Sequence, residues 1–308
     1  MREVGPRAVV VGGGRVGKLF TALLSGHHQV TVVDSVAQET APHAGRPQVQ
    51  WITDDVTRPG PATTAALAGA HVVVLALPES AALACMREVA ARMTAGALLV
   101  ETLSVKTSIS AALRAEAHRR RLEALGVNPM FAPELGFSGR PVAVVPLSRH
   151  ERSERFLALL WGAGARVVPL AEDQHDRLTA ALQVATHASV LAFGYALRET
   201  GAELDLLCEL APPPHLTLLA LLARICSGGP EVYWDVQAGN EAGAAVRATL
   251  ARGVLRLSEL VAEGDREGFD ALLAGAADFL GARGPELAAR CDALFRRPEL
   301  RDGSPESR

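Results

Sequence analysis

The chain has 308 residues, of which 49% are hydrophobic and 21% are charged, and its formal net charge is −3. This length exceeds that of one ordinary core, so we expect two domains in a protein of globular composition. The small net charge argues against a nucleic-acid partner. Because no apolar run approaches the roughly 18 residues of a membrane span, we also expect no membrane partner.

The cysteines are scattered and form no Cys-x-x-Cys pair. This spacing argues against a disulfide framework and against a zinc site, so we expect no metal. It fits the reducing cytoplasm, where we expect the protein to be located. The cysteines are Cys85, Cys208, Cys226 and Cys291.

The first half of the chain alternates short apolar runs with helical patterns, which predicts a doubly wound, mostly parallel α/β sheet. Runs that are apolar on both faces predict buried parallel strands. We expect strands at residues 8–11, 30–33, 72–76, 98–100, 126–129, 141–145 and 166–168. Helical periodicity covers residues 16–24, 80–93, 107–119 and 156–161.

After Pro169 no segment has strand character, and the sequence predicts an all-α region rich in Ala and Leu. The expected helices are residues 172–200, 203–227, 231–263, 266–281 and 285–296. Such helices expose too much Leu and Ala for a lone small domain, so we expect a homodimer through them. The expected domains are residues 1–170 and 171–300, followed by a disordered tail at 301–308.

A glycine-rich motif lies between the first predicted strand and the first predicted helix. Gly12, Gly14 and Gly17 form the pattern GxGxxG, and a second strand at 30–33 completes a βαβ unit that binds a dinucleotide. Gly12 permits a tight turn, and Gly14 lets the backbone approach the pyrophosphate. Gly17 lets the helix and strand pack closely.

The remaining cofactor contacts follow from the same motif. We expect the pyrophosphate at the start of the helix, near Arg15 and Val16, where free amides and the helix dipole favour an anion. Asp34 ends the second strand, where a carboxylate binds the adenosine ribose and repels a 2′-phosphate. Since Ser35 follows and no basic residue is beside it, the sequence predicts NAD rather than NADP.

Leu77 and Pro78 follow the strand at 72–76. In an open sheet the ligand lies at such carboxyl ends, so we expect both residues beside the nicotinamide ribose.

Three further segments follow in a specific order: Ser104-Val105-Lys106, then Asn128-Pro129-Met130-Phe131, then His175-Asp176-x6-Gln183-x3-His187. With the glycine motif, they resemble the prephenate dehydrogenase family from Val9 to about Arg296. The resemblance implies a Rossmann domain joined to a helical dimerisation domain. It also implies an NAD-dependent oxidoreductase that removes a hydride from C4 of a cyclohexadienyl acid, with loss of CO2 and aromatisation.

The resemblance implies which residues in the helical region bind the substrate. Gln183 and His187 lie four residues apart on one helix face, with His187 as a catalytic residue near the substrate and Gln183 beside it. Arg224, in an apolar helical run, is implied to be buried and to bind the ring carboxylate. Tyr233 is a further substrate contact. Many relatives carry a second Arg where this chain has Leu216.

Two residues of the Ser-Val-Lys segment have separate expected roles. The resemblance implies that Ser104 is catalytic and contacts the cofactor, because its hydroxyl can donate to the C4 substituent or to the nicotinamide. Lys106 is expected to pair with a nearby carboxylate or to cap a structural element.

The chain departs from the family at its catalytic position. The family pattern is His-Pro-Met-Phe-Gly-Pro, and this chain has Asn128 for the His and Ala132 for the Gly. The family His accepts the proton of the C4 hydroxyl, a contribution of roughly 10²–10⁴ in rate that Asn cannot make near neutral pH. An amine at C4 instead expels hydride through its own lone pair, and the amide oxygen of Asn128 accepts an N–H of the iminium.

The substitution therefore favours 4-amino-4-deoxyprephenate as the substrate and 4-aminophenylpyruvate as the product. A branch of the family with this specificity supplies 4-aminophenylalanine to antibiotic pathways. Prephenate or arogenate dehydrogenase and a catalytically impaired NAD-binding regulatory paralogue are the alternatives. A β-hydroxyacid dehydrogenase or imine reductase is a further rival, but those enzymes lack the Pro-Met-Phe-x-Pro segment.

Overall fold

The structure is a computed structural model, and it describes residues 5–37, 49–148 and 150–296. The chain divides into two compact units, Met1–Thr179 and Ala180–Arg308. By this measure the segment 171–179 belongs to the first unit, whereas the prediction placed it in the second. The expected tail at 301–308 lies outside the described residues.

The first unit is built on one eight-stranded sheet in the order β3-β2-β1-β4-β5-β6-β7-β8. All neighbouring strands are parallel except β6 and β7, which confirms the predicted doubly wound, mostly parallel sheet. The strands are β1 (Arg7–Val11), β2 (Gln29–Asp34), β3 (Val49–Thr53), β4 (Val72–Leu75), β5 (Leu98–Glu101), β6 (Glu123–Pro129), β7 (Pro141–Pro146) and β8 (Arg166–Pro169).

Helices cover both faces of this sheet. They are α1 (Arg15–Ser25), α2 (Pro61–Gly69), α3 (Glu79–Arg92), α4 (Thr107–Arg120), α5 (Glu151–Gly162) and α6 (Glu172–Thr179). Because side chains alternate along a strand, Val9 and Val11 face one core and Val10 faces the other. Helices α3 and α4 pack on the first core, and α1 and α5 pack on the second through Phe20 and Phe156.

Strand β3 and helix α2 were not predicted. Strand β3 is an edge strand without a fully buried residue, so it lacks the continuous apolar run that marks the central strands. Helix α2 buries only Thr63 and Leu67, so its apolar stripe is too short to stand out in the sequence.

The second unit is all-α over its described residues, 180–296, which confirms the predicted class. A π-helical turn (Ala180–Ala185) precedes α7 (Thr186–Thr200), α8 (Leu204–Leu210), α9 (Pro213–Cys226), α10 (Pro230–Gly239), α11 (Gly243–Glu263), α12 (Arg266–Leu280) and α13 (Gly284–Phe295).

Two of the predicted long helices are each two helices in the structure. The expected helix at 203–227 breaks before Pro212, because successive prolines cannot donate backbone hydrogen bonds and instead begin α9. The expected helix at 231–263 breaks at Asn240, whose side-chain oxygen accepts the Ala242 amide at 3.0 Å. Asparagine favours such local side-chain bonds over helix continuation.

The helical stretch Glu172–Thr200 has 29 residues and is long and apolar enough to cross a membrane, by length and composition alone. The expectation from the sequence concerned an uninterrupted apolar run, which this stretch is not, because Gln183 and His187 interrupt it. These two criteria are weak indicators, because the core helix of a globular domain also meets them. His175 and Asp176 within this stretch are buried in a hydrogen-bonded network of the first unit.

Candidate active site

The glycine loop after β1 requires glycine at two of its three motif positions. Gly12 has φ +97°, and a Cβ there would collide with the carbonyl oxygen of Ala76. A Cβ on Gly17 would collide with the carbonyl oxygen of Gly12. A Cβ on Gly14 would meet nothing within 4 Å. The loop is thus folded tightly upon itself, with open space at Gly14.

The start of helix α1 suits an anion. Gly14 caps the helix without a side-chain hydrogen bond, and no acidic residue lies in the first turn. The first amides of a helix have no intrahelical partner, so this end presents free donors and a positive dipole. The Arg15 side chain makes a two-pronged ion pair with Glu134, and both side chains are more than half exposed. Val16 is half-buried.

Asp34 connects the end of β2 to the glycine loop. Its Oδ2 accepts the Gly13 amide at 2.6 Å, and its Oδ1 accepts the Val36 amide at 2.8 Å. Each carboxylate oxygen retains a second lone pair, so Asp34 can still accept a ribose hydroxyl.

Leu77 and Pro78 follow β4 beside this loop. A Cβ on Gly12 would lie 3.1 Å from the Leu77 side chain, so Leu77 packs against the turn. Pro78 is exposed and forms the N-cap of α3.

A buried ion pair holds the connection between β5 and α4. Lys106 Nζ lies 2.7 Å from Glu101 Oε1 and donates to the Val127 carbonyl at 3.2 Å, with both charged side chains fully buried. Burial raises the pKa of Glu101 and lowers the pKa of Lys106, and their mutual attraction opposes both shifts. Lys106 therefore has the carboxylate partner predicted for it. The half-buried Ser104 lies in the segment that this pair holds in place.

Asn128 lies on β6 and is 2% exposed. Its side-chain nitrogen Nδ2 is 3.2 Å from Nε2 of His175, whose ring is fully buried on α6. The other ring nitrogen, Nδ1, is 2.7 Å from Oδ1 of Asp176. Asn128, which departs from the family pattern, is thus the first of three buried residues joined by hydrogen bonds, Asn128–His175–Asp176.

Asp176 is held as a carboxylate by several donors. It accepts the amides of Lys106 and Thr107, each at 2.9 Å, and the Thr107 hydroxyl at 2.6 Å. Burial alone would raise the pKa of Asp176, but the hydrogen bonds from His175, Thr107 and Lys106 outweigh it and lower that pKa. Burial also lowers the pKa of His175, against the opposing hydrogen bond to Asp176. The ring is therefore neutral at neutral pH.

In the second unit, Gln183 and His187 each carry a buried polar atom without a hydrogen-bond partner among the described residues. These atoms are Gln183 Oε1 and His187 Nδ1. An unsatisfied buried polar atom costs about 1–3 kcal/mol, and these two atoms belong to residues four positions apart on the helix. Gln183 lies in the π-helical turn, a local structure that frequently occurs at functional sites.

Tyr233 and Arg224 lie close to His187. The rings of His187 and Tyr233 meet edge to face with centroids 5.0 Å apart. Burial, followed by the nearby Arg224 charge, lowers the pKa of His187. Arg224 itself is exposed in the last turn of α9, so the expectation of a buried Arg was wrong. The apolar run around it belongs to a helix without a fully buried residue. Leu216 lies in the same helix and is half-buried.

Within the described part of the chain, no group of three or more His, Cys, Asp or Glu side chains could hold a metal ion. The four cysteines are free, and Cys85 is buried, which raises the pKa of its thiol to about 12.

Comparison with known proteins identifies relatives of both units. Residues 8–133 match the TrkA-N domain family, and residues 171–275 match the family described as prephenate dehydrogenase, dimerization domain. The chain is similar to 4-amino-4-deoxyprephenate dehydrogenase of Streptomyces pristinaespiralis, with 47% identity over 94% of this chain and 96% of the relative. The chain belongs to the prephenate dehydrogenase family.

Solved structures of this family share the fold at low sequence identity. Prephenate dehydrogenase from A. aeolicus, in complex with hydroxyphenyl propionate and NAD⁺, has a TM-score of 0.68 and 17% identity, over 91% of this chain and 99% of that chain. Synechocystis arogenate dehydrogenase has a TM-score of 0.63 and 19% identity, over 88% and 98% of the two chains.

Sequence reasoning gave His175 and Asp176 no role in this prephenate dehydrogenase family member. The His-Asp pair was visible as part of the family pattern, but its contact with Asn128 joins residues 47 positions apart. The signal that could have found it was the family's catalytic position itself, since a buried Asn requires hydrogen-bond partners.

Proposed function

We propose that this protein is an NAD-dependent 4-amino-4-deoxyprephenate dehydrogenase. It converts its substrate to 4-aminophenylpyruvate by oxidative decarboxylation. The observation that carries the proposal is Asn128 at the family's catalytic position, with its amide nitrogen toward His175 Nε2. The 47% identical relative named for the same activity supports it.

Hydride transfer from the amine as its free base needs no group that takes up a proton; the ammonium form first loses one proton to water. NAD⁺, when bound, accepts the hydride that leaves C4 of the substrate. The C4 amine lone pair forms an iminium, and the electron pair of the departing carboxylate then enters the ring. The products are CO2 and a neutral aniline, so both N–H protons stay on nitrogen. Asn128 Oδ1 accepts one of these N–H bonds, which strengthens as positive charge develops on the nitrogen.

The other candidate residues bind and orient the substrate. We assign the ring carboxylate to Arg224, whose guanidinium can form two parallel hydrogen bonds. Gln183 and His187 offer the unpartnered atoms described above, and Tyr233 packs on the His187 ring. Ser104 donates to the C4 substituent or to the nicotinamide.

The cofactor preference follows from Asp34. Its carboxylate accepts the ribose hydroxyls of NAD and repels the 2′-phosphate of NADP. The pyrophosphate binds the start of α1 at Gly14, Arg15 and Val16. Arg15 would contact the phosphate by giving up its ion pair with Glu134. We expect a much higher kcat/KM with NAD⁺ than with NADP⁺, and equal values would contradict this assignment.

We also propose a homodimer through the helical unit, located in the cytoplasm. Large apolar side chains are exposed there, including Phe279 at 90%, Leu210 at 76% and Trp234 at 71%. Exposed apolar surface of this extent marks an interaction surface, and the family model names this region a dimerization domain. Light scattering at micromolar concentration should give twice the mass of one chain; a monomer would contradict the dimer. The aminated product suits supply of 4-aminophenylalanine to antibiotic biosynthesis.

The deciding experiment measures NADH formation by the wild-type protein with 4-amino-4-deoxyprephenate, prephenate and arogenate. The proposal requires the highest kcat/KM with the amino substrate. A preference for either hydroxylated acid would identify a prephenate or arogenate dehydrogenase. NAD⁺ binding without turnover of any of the three would identify a regulatory paralogue.

A further inference from the structure

We propose that His175 and Asp176 form a positioning pair that fixes which end of the Asn128 amide faces the substrate. This inference rests on the proposed function, because it explains how Asn128 presents an acceptor to a C4 amine. Neither His175 nor Asp176 needs to touch the substrate for this role. Their contact is with Asn128, through one buried ring.

The direction of each hydrogen bond follows from Asp176. An ionised carboxylate only accepts, so the single proton of the neutral His175 ring lies on Nδ1 and is donated to Asp176 over 2.7 Å. Nε2 then carries a lone pair and faces Asn128 at 3.2 Å. Only the Nδ2 end of the Asn128 amide can donate to it. The reversed amide would place two acceptors against each other.

The acceptor end of Asn128 is therefore turned away from His175. Among the residues that the structure describes, Asn128 Oδ1 has no hydrogen-bond partner. An amide without such a lock has two nearly equivalent orientations about its terminal torsion. In the wrong one its NH2 group would oppose the N–H bonds of the substrate. The pair keeps Asn128 as an acceptor in every molecule.

The carboxylate end of the pair is fixed by α4. The Lys106 and Thr107 amides and the Thr107 hydroxyl all donate to Asp176, so its charge and its position are set by the start of that helix. Helix α6 packs against α4, and the Arg114–Glu172 ion pair joins the same two helices. The pair is thus held by the first unit alone.

Protonation of His175 should reverse the orientation of the Asn128 amide, because Nε2 would then be a donor and would require the Asn128 oxygen as its acceptor. The charged groups near the ring are Asp176, the Lys106–Glu101 pair and, farther along α4 and α6, Arg114 with Glu172. Burial lowers the pKa of His175 below 6.5. The neutral ring therefore persists through neutral pH and is lost as the pH falls below that lowered pKa.

The test is the tautomer of His175, read from the ring nitrogens by ¹⁵N NMR of the wild-type protein. The His175→Gln variant assigns the resonance by its disappearance, and the wild-type Asn128 amide protons, which neighbour the ring, assign it independently. We expect a neutral ring with the proton on Nδ1 at pH 7. A proton on Nε2, or a cationic ring at that pH, would overturn the proposal.

A second variant reverses the direction of the hydrogen bonds from residue 176 through His175 to Asn128. In Asp176→Asn the new amide can still accept from Thr107 and can donate to His175 Nδ1, which moves the ring proton to Nε2 and turns Asn128. We expect kcat for the amino substrate to fall about tenfold, as for the loss of one net hydrogen bond, with a smaller change in KM. The control is Asp173→Asn, an exposed carboxylate on the same helix that pairs only with Arg177 in the described structure.

The two proposals fail separately. If Asp176→Asn moves the proton to Nε2 while kcat and its dependence on pH stay unchanged, the positioning role is wrong, whatever the substrate. If the wild type has the expected tautomer but prefers prephenate, the proposed substrate is wrong and the positioning pair stands, with the same readout measured on prephenate.

Discussion

The two units prepare their candidate residues in opposite ways. In the first unit, each polar group behind Asn128 has its partner inside the same unit: His175 for the amide, Asp176 for the ring and the start of α4 for the carboxylate. In the second unit, Gln183 and His187 keep buried atoms without partners in the described structure. The network behind Asn128 is satisfied within its own unit, whereas we propose that a ligand satisfies Gln183 and His187.

The first unit therefore suits the orientation of the Asn128 acceptor, and the second suits the affinity for a ligand. Satisfied buried networks are rigid, so the first unit can set the direction of a single acceptor. Unsatisfied buried acceptors carry a cost of about 1–3 kcal/mol each, which a ligand that supplies a donor recovers on binding. We therefore expect substitutions in the first unit to change kcat and stability, and substitutions in the second to change KM.

The largest expected effect comes from Asn128→His. It restores a general base, so kcat/KM for prephenate should rise by up to roughly 10²–10⁴. The amino substrate should become worse, because an imidazole that becomes cationic repels the developing iminium. Steady-state kinetics with both substrates checks this, with Asn128→Ala as the variant that lacks both base and acceptor. Changes of the same sign for both substrates would remove Asn128 as the residue that selects the substrate.

Next in size is the loss of the buried ion pair. Lys106→Met leaves the fully buried Glu101 without its cation, which should lower the free energy of unfolding by about 3–5 kcal/mol. Urea denaturation measures this, and the exposed Lys18→Met is the matched control. The double variant Lys106→Met, Glu101→Leu should recover most of the loss, because it removes the unpaired charge as well. A single variant as stable as the wild type would show that the network does not hold the β5–α4 connection.

Arg224 tests the affinity side of the comparison. Arg224→Ala should raise KM about tenfold to a hundredfold, the range for a charged hydrogen bond, with little change in the free energy of unfolding. Arg224→Lys should restore little, since an ammonium cannot form the paired contact. The exposed Arg198→Ala is the control. Wild-type kinetics in the Ala variant would mean that Arg224 is a surface residue only.

The smallest effect is expected for Gln183→Met. Removing an unsatisfied buried oxygen should leave stability unchanged or raise it by about 1 kcal/mol, while KM for the substrate rises. The corresponding change in the first unit, Asn128→Leu, should lower stability, because it leaves the His175 acceptor without a donor. Thermal melts compare the stability of the two variants, and steady-state kinetics give KM for the Gln183 variant. Equal destabilisation by both changes would erase the contrast between the units.

The apolar runs of the central strands and of the edge strand β8 predicted their positions correctly, whereas β3 and α2 were not predicted. Strands β1 and β4 are buried on both faces, so their apolar runs are unambiguous. The edge strand β3 lacks this signature. The π-helical turn Ala180–Ala185 is absent from the prediction because apolar spacing does not distinguish it from an α-helix.

The candidate site was predictable where a local motif carries the chemistry. Gly12 and Gly17 meet the steric demands that their motif implies. The partners of Asn128 could not be derived from spacing, since they come from a different element. The exposure of Arg224 could not be predicted from the sequence either, because an apolar run around a residue does not reveal whether that helix face is covered within one chain.

The lone pair on His175 Nε2 has a consequence for how such an enzyme changes over generations. An imidazole in place of the Asn128 amide could donate its own N–H to the same acceptor and keep its second nitrogen as a base. The acceptor on His175 therefore suits a donor from either side chain. Asparagine and histidine codons differ by one nucleotide, so the exchange that Asn128→His tests is also a single mutational step.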